Sequence, residues 1–237
     1  MVGSLRAGGS CKTDMVAWIA RRHPHLAILV HPTGDEDRML GECFPGRVFA
    51  HRDWLVAWDD AHRSGFTSGV SDGGLQDPAL DGCPALLLVH PDGPRDIRDL
   101  LPFGPFRALR PFPRTEERAL LLGTDLRTRL DPADLPAPGT EVAAACAVAR
   151  PEVFFDELES AGLRVVERLA FQDHARFPAS LLRRMEDGKR PWLVTAKDAS
   201  RKSLPGAVHA VGRIVEVSPD SVLAVDGLVG LLPRTTP

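Results

Sequence analysis

Residues Gly8-Gly9-Ser10-Cys11-Lys12-Thr13 stand just before a run with apolar side chains at helical spacing, Met15, Trp18 and Ile19. This order of residue types suits a loop that cradles phosphate. Glycines let backbone N–H groups crowd around phosphate oxygens, the Lys reaches the β- and γ-phosphates, and the Thr hydroxyl meets Mg²⁺. The helix N-terminus adds positive potential. One position departs from the pattern. The residue before the Lys is ordinarily Gly and here is Cys11, whose Cβ intrudes where the backbone approaches a nucleotide. Taken alone, the six residues also read as a Gly-rich turn ahead of a helix.

The 237 residues suffice for one or two domains, and 43% hydrophobic with 26% charged content is ordinary for a globular chain. A net charge of −3 gives no electrostatic case for nucleic acid. The cysteines, Cys11, Cys43, Cys83 and Cys146, show no C-x-x-C spacing and fit a reduced, cytoplasmic chain. No apolar run approaches the length of a membrane span, and the N-terminus lacks the signature of a signal peptide.

Along the chain, 13–22 predicts a helix, 25–30 a buried strand, 53–63 a second helix, and 68–71 a strand leading to Asp72. Ala85 to Val89 has the continuous apolar character of a central parallel strand. Residues 91–118, rich in Pro and Arg, read as irregular, and a strand starts near Leu120. Residues 131–140 are the linker candidate. Beyond them strands (142–148, 163–169, 192–195) alternate with helices (151–161, 178–187), and the apolar tail 220–232 reads either as a terminal helix packed on the core or as a surface that touches a membrane. The expectation is an α/β fold. It has a P-loop, mostly parallel domain over 1–135 and a smaller α/β domain over 141–237.

Six short motifs follow one another: Gly8 to Thr13, Gly34-Asp35-Glu36, Asp72-Gly73-Gly74-Leu75-Gln76, Leu100 to Arg107, Phe171-Gln172-Asp173-His174 and Thr195-Ala196-Lys197-Asp198. In this order they resemble the tetraacyldisaccharide 4′-kinase (lipid A 4′-kinase) family, whose members show G-G-T-G-K-T, G-D-E, D-D-G-L-Q, L-L-P-x-G-P-L-R-E, F-x-D-H and T-E-K-D. The resemblance covers nearly the whole chain. It implies phosphoryl transfer from ATP, with Mg²⁺, to the 4′-hydroxyl of an acylated disaccharide 1-phosphate at the inner face of the cytoplasmic membrane. By the same resemblance Gly8, Gly9, Ser10, Cys11, Lys12 and Thr13 bind the nucleotide. Thr13 and Asp72 hold the metal, Asp35 and His174 together activate the acceptor hydroxyl, and Arg107 lies near the transferred phosphate. The chemistry suits such types: phosphoryl transfer needs positioning and charge cancellation, and a carboxylate-oriented imidazole can take a hydroxyl proton.

Several positions depart from the family pattern: Cys11 for Gly, Gly73 for the second Asp, Ala108 for the Glu after Arg, and Ala196 for the Glu of T-E-K-D. The family's hydrophobic N-terminal helix has no counterpart ahead of the loop. These departures sustain a second expectation, a non-catalytic paralogue that binds without turnover. A third, a kinase of a smaller soluble substrate, has no positive motif. Blander readings stand beside the sharp ones. Asp35 and Glu36 can cap a helix, Asp72 suits a turn, His174 a surface loop, and Arg107 a solvated basic face. Lys197 and Asp198 read as helix-start and surface charges. Phe103, Phe106 and Phe112 form either a lipid-facing surface or a loop packed on the sheet.

Overall fold

A computed structural model describes the whole chain except residues 7, 95, 105, 108–116, 201–203 and 233–237. Its elements run β1 (Val2–Gly3), α1 (Lys12–Arg22), β2 (Ala27–Val30), α2 (Glu36–Cys43), β3 (Val48–Ala50), α3 (Trp54–Arg63), β4 (Gly69–Ser71), β5 (Ala85–Val89), β6 (Glu117–Leu121) and β7 (Leu126–Leu130). Then come β8 (Glu141–Cys146), α4 (Pro151–Ser160), β9 (Arg164–Ala170), α5 (Ala179–Glu186), β10 (Trp192–Thr195), α6 (Ala196–Ser200), β11 (Val208–Val211), β12 (Arg213–Val217) and α7 (Pro219–Gly230).

The chain divides into two compact units. One comprises 1–33, 40–128 and 215–237, the other 34–39 and 129–214. These units interleave along the sequence, unlike the domains expected over 1–135 and 141–237. The terminal helix α7 belongs with the first unit because Val225 and Leu228 are buried in a core shared with Met15, Val16 and Ile19 of α1. The expected linker, 131–140, is built into the second unit. Its Asp134 accepts the Gly212 N–H at 2.8 Å, and the Asp131 N–H donates to the Gly212 carbonyl at 2.9 Å.

In the first unit two parallel three-stranded ladders, β3-β2-β4 and β1-β5-β6, meet through a parallel bridge between Val2 and Asp72. β2 is buried along its whole length and β5 nearly so, as strands covered on both faces must be. α1 buries Met15, Val16, Ile19 and Ala20. Its C-terminal carbonyls are met by Arg47, which donates to Ala20 at 3.0 Å and His23 at 3.1 Å. Asp53 caps α3 by accepting the Leu55 N–H at 2.8 Å.

In the second unit the parallel order is β11-β10-β8-β9. β8, Ala-rich and almost wholly buried, lies in the middle, so helices can approach its small side chains on both faces. Phe154, Phe155 and Leu158 of α4 pack on one face, Leu181 and Met185 of α5 on the other. β9 alternates exposed and half-buried residues, which suits the sheet's edge.

Candidate functional site

In the first unit the glycine-rich loop follows β1 and enters α1. Gly8 and Gly9 have φ of 75° and 61°. Cys11 is the N-cap of α1 and lies in the left-handed region, φ 55° and ψ 22°. The cysteine therefore holds the backbone region that a glycine would occupy freely, at a conformational cost to an L-residue. Its carbonyl accepts the Met15 N–H at 3.0 Å, and its Sγ lies 3.6 Å from Thr128 Oγ1. Lys12 Nζ donates to Ser10 Oγ at 3.2 Å. Thr13 is buried, and its hydroxyl donates to Asp72 Oδ2 at 2.7 Å.

Asp72 reaches this point because β4 ends at Ser71 and the next residue bridges to Val2 of β1. Loop and acid thus gather at the carboxyl ends of adjacent parallel strands, where open α/β sheets bind ligands. The two residues after Asp72 are committed to the turn. Gly73 has φ 109° and Gly74 φ 91°, and a Cβ on Gly74 would lie 2.4 Å from Leu80 Cδ1.

Arg107 is brought to the segment that leads from β1 into the loop. Its N–H donates to the Leu5 carbonyl at 2.7 Å, just ahead of the loop, and its side chain is exposed. Phe106 is buried and lies 5.7 Å beneath the Arg6 guanidinium, whereas Phe103 is 85% exposed. Ala108 and Phe112 lie outside the described residues.

Thr13 and Asp72 offer two oxygen donors at one point. Magnesium is commonly held by one or two such groups plus the phosphates of a nucleotide. Among the described residues no three His, Cys, Asp or Glu side chains stand together as a metal cage. The residues present therefore fit Mg²⁺ arriving with a nucleotide.

The second unit holds the other candidates. Asp35 precedes α2 and accepts the Met39 N–H through its carbonyl, as a helix cap does. Its carboxylate does something else: Oδ2 lies 2.9 Å from His174 Nδ1. Asp35 is 1% exposed, while the His174 side chain is 52% exposed. The imidazole thus has one nitrogen on a buried carboxylate and its body toward solvent. Nε2 lies 3.7 Å from Asp173 Oδ2. His174 has φ 62°, uncommon for a non-glycine residue, and its N–H donates to the Ala147 carbonyl at 3.1 Å.

Asp198 does not fit the reading of a surface charge, since it is 3% exposed. It accepts the Ala147 N–H and the Thr195 hydroxyl. Lys197 pairs with Glu36 at 2.5 Å. Burial, aided by the charge of Asp198, pushes the neighbouring Cys146 thiol up to about 12, so it remains a neutral core residue.

The family model described as tetraacyldisaccharide-1-P 4′-kinase (LpxK) matches residues 25–220. The match begins after the glycine-rich loop. A tetraacyldisaccharide 4′-kinase of Halorhodospira halophila is 27% identical over 97% of this chain and 82% of its own length. Its counterpart in Gluconacetobacter diazotrophicus is 30% identical over 91% of this chain and 79% of its own. Among solved structures, LpxK from Aquifex aeolicus in complex with ATP superposes with a TM-score of 0.66. It is 17% identical, and the match covers 97% of this chain and 86% of that one.

Proposed function

The chain belongs to the tetraacyldisaccharide-1-P 4′-kinase family, and from that premise we propose that it transfers the γ-phosphoryl group of ATP to the 4′-hydroxyl of a tetraacyldisaccharide 1-phosphate. The observation that carries the reading is the pairing of Asp35 with His174. The two residues lie 139 positions apart in the chain and meet at 2.9 Å.

ATP supplies the phosphoryl group; Thr13 and Asp72 would hold Mg²⁺, which would shield the charge of the phosphates. Lys12 and the backbone N–H groups of 8–13 bind the phosphates, and Arg107 adds positive charge where the transferring group bears negative charge. With Nδ1–H donated to Asp35, Nε2 of His174 carries the lone pair and takes the proton of the acceptor hydroxyl. Asp35 fixes that tautomer and stabilises the imidazolium that forms. The hydroxyl oxygen bonds to the γ-phosphorus as the bond to the bridging oxygen breaks, and ADP leaves. Cys11 does not disable this arrangement in our reading, because it adopts the left-handed conformation the loop requires.

The acyl chains of the acceptor bring the protein to a lipid surface in this proposal. No helix among the described residues is long and apolar enough to cross a membrane. The segment around 97–103, however, holds Ile97, Leu101 and Phe103 out in solvent, at 73%, 55% and 85% exposure. Backbone bonds fix it there: the Leu101 N–H donates to Phe106 and the Phe103 N–H to Leu100. We place this segment against the anionic headgroups of the inner membrane, peripherally.

Calorimetry of Mg²⁺-ATP binding, with a 4′-phosphorylation assay, tests the reading. Wild type should bind and turn over, Lys12→Ala should lose binding, and His174→Ala should bind ATP but lose turnover. A wild-type protein that fails to bind Mg²⁺-ATP refutes the kinase assignment.

A further inference from the structure

The mechanism above uses Asp35 and His174 and leaves the buried polar groups of α6 without a part in it. Asp198 and Ser200 are 3% and 8% exposed. Buried groups of this kind are costly unless their hydrogen bonds are made, so the places where those bonds go are informative.

Thr195 precedes α6 and accepts the Asp198 N–H at 3.2 Å, which is one half of a capping box. Asp198 Oδ2 in turn accepts the Thr195 hydroxyl at 2.7 Å and, beyond its own helix, the Ala147 N–H at 3.1 Å. Ala147 lies just past β8, and its carbonyl accepts the His174 N–H at 3.1 Å. A continuous path therefore runs from the Asp198 carboxylate through Ala147 to the backbone of His174. That backbone sits at φ 62°, a conformation that needs an external hold.

The same helix grips the other member of the pair. Ser200 Oγ lies 3.1 Å from the Asp35 carbonyl oxygen and 2.8 Å from that of Lys197, so its single proton is shared between them. Lys197 binds Glu36, and Arg38 donates to the Ser200 carbonyl at 3.3 Å. We infer that α6 is a positioning element. Asp198 sets the loop that carries the imidazole, Ser200 sets the segment that carries the carboxylate, and one short helix thereby fixes how Asp35 meets His174. The inference deepens the proposed function and rests on Asp35 and His174 being the pair that takes the hydroxyl proton.

The test combines steady-state kinetics with ¹⁵N NMR of the histidine imidazoles in the full chain, for Asp198→Ala, Asp198→Asn and Ser200→Ala. A misplacement of about 1 Å can cost on the order of 100-fold in rate. Asp198→Ala should lower kcat by roughly 10- to 100-fold at unchanged KM for ATP and shift the His174 ring signals. Asp198→Asn retains an oxygen for both the Ala147 N–H and the Thr195 hydroxyl and should recover most of the rate. In a His174→Ala background, Asp198→Ala should add little further loss, because the two act as a unit.

Normal kcat in folded Asp198→Ala overturns the inference, and so does an equal loss with and without His174. If Asp198→Ala does not fold, Ser200→Ala decides, with a lowered kcat and shifted His174 signals expected and wild-type values overturning. Should His174→Ala itself keep full turnover, the pair is not the proton acceptor and the reading beneath falls. The α6 linkage is then judged by the His174 signals alone, which shift with Asp198→Ala if it exists and stay put if it does not.

Discussion

Replacing Cys11 by Gly, with Cys11→Ala as its control, isolates the backbone term in the phosphate loop. Cys11 sits at φ 55° and ψ 22°. That conformation costs an L-residue about 1–2 kcal/mol and costs glycine almost nothing. Glycine gives back about 0.5–1 kcal/mol through its greater freedom in the unfolded chain. Both variants lose the 3.6 Å contact between the thiol and Thr128, so that loss cancels in the comparison. Cys11→Gly should therefore be more stable than Cys11→Ala by about 0.5–1 kcal/mol, which for a chain of this size is roughly 1–4 °C in melting temperature. Thermal unfolding in the absence of nucleotide reads it directly. Calorimetry with Mg²⁺-ATP should show Cys11→Gly binding at least as tightly as wild type, since it keeps the loop's shape and removes a Cβ. A glycine variant no more stable than the alanine variant would refute the left-handed assignment. Weaker ATP binding in Cys11→Gly would refute the claim that the loop already holds the shape phosphate needs.

Three further outcomes follow from particular contacts. Gly73→Asp, which restores the carboxylate of the family's D-D-G motif, should destabilise the protein by about 1–2 kcal/mol, because φ 109° is unsuited to a side chain; denaturant melts check this. Asp226 is held below its ordinary value of 3.8, mainly by the hydrogen bonds from Arg22 at 2.8 and 2.6 Å. A depressed carboxyl stabilises the fold above its unfolded pKa and loses that contribution as pH falls through the folded one. Asp226→Asn should therefore melt slightly below wild type at pH 7, and the gap should close as pH drops below 3.8. Ile97→Ser with Phe103→Ser should reduce cosedimentation with anionic phosphatidylglycerol vesicles while leaving Mg²⁺-ATP affinity unchanged, and undiminished cosedimentation would remove that segment from the membrane surface.

Much of the local architecture is readable from residue order. The strands 85–89 and 192–195 emerge at their expected bounds because a short, uninterrupted apolar run bounded by turn residues has few other uses. Pro151 starts α4, and Asp53 caps α3, since both act on their own neighbours. Shorter elements escape notice. β3 and β11 have three and four residues and little buried surface of their own, so pairing with a neighbour decides them. α2 begins at Glu36, where the local residues show only that Asp35 and Glu36 can cap a helix and not how far it runs.

For the site, the residue types were legible, and their pairings were implied only by the family resemblance, because residues so far apart carry no local signal of contact. Sequence by itself determined that a glycine-rich loop with Lys12 and Thr13 opens a helix, and that short motifs carrying Asp35, Asp72, Arg107 and His174 follow one another in a telling order, because each motif is a string of neighbouring residues. Only the tertiary structure decided that Thr13 meets Asp72 across 59 positions and Asp35 meets His174 across 139. It also decided that Asp198 is a buried tether and that α7 returns to the first unit's core. Locally Asp198 reads as a helix-start charge, and the direction of its carboxylate is not visible there. Where a buried carboxylate spends its lone pairs is set by which strand ends lie beside it, and that depends on how the parallel sheet is ordered rather than on any neighbour in the chain.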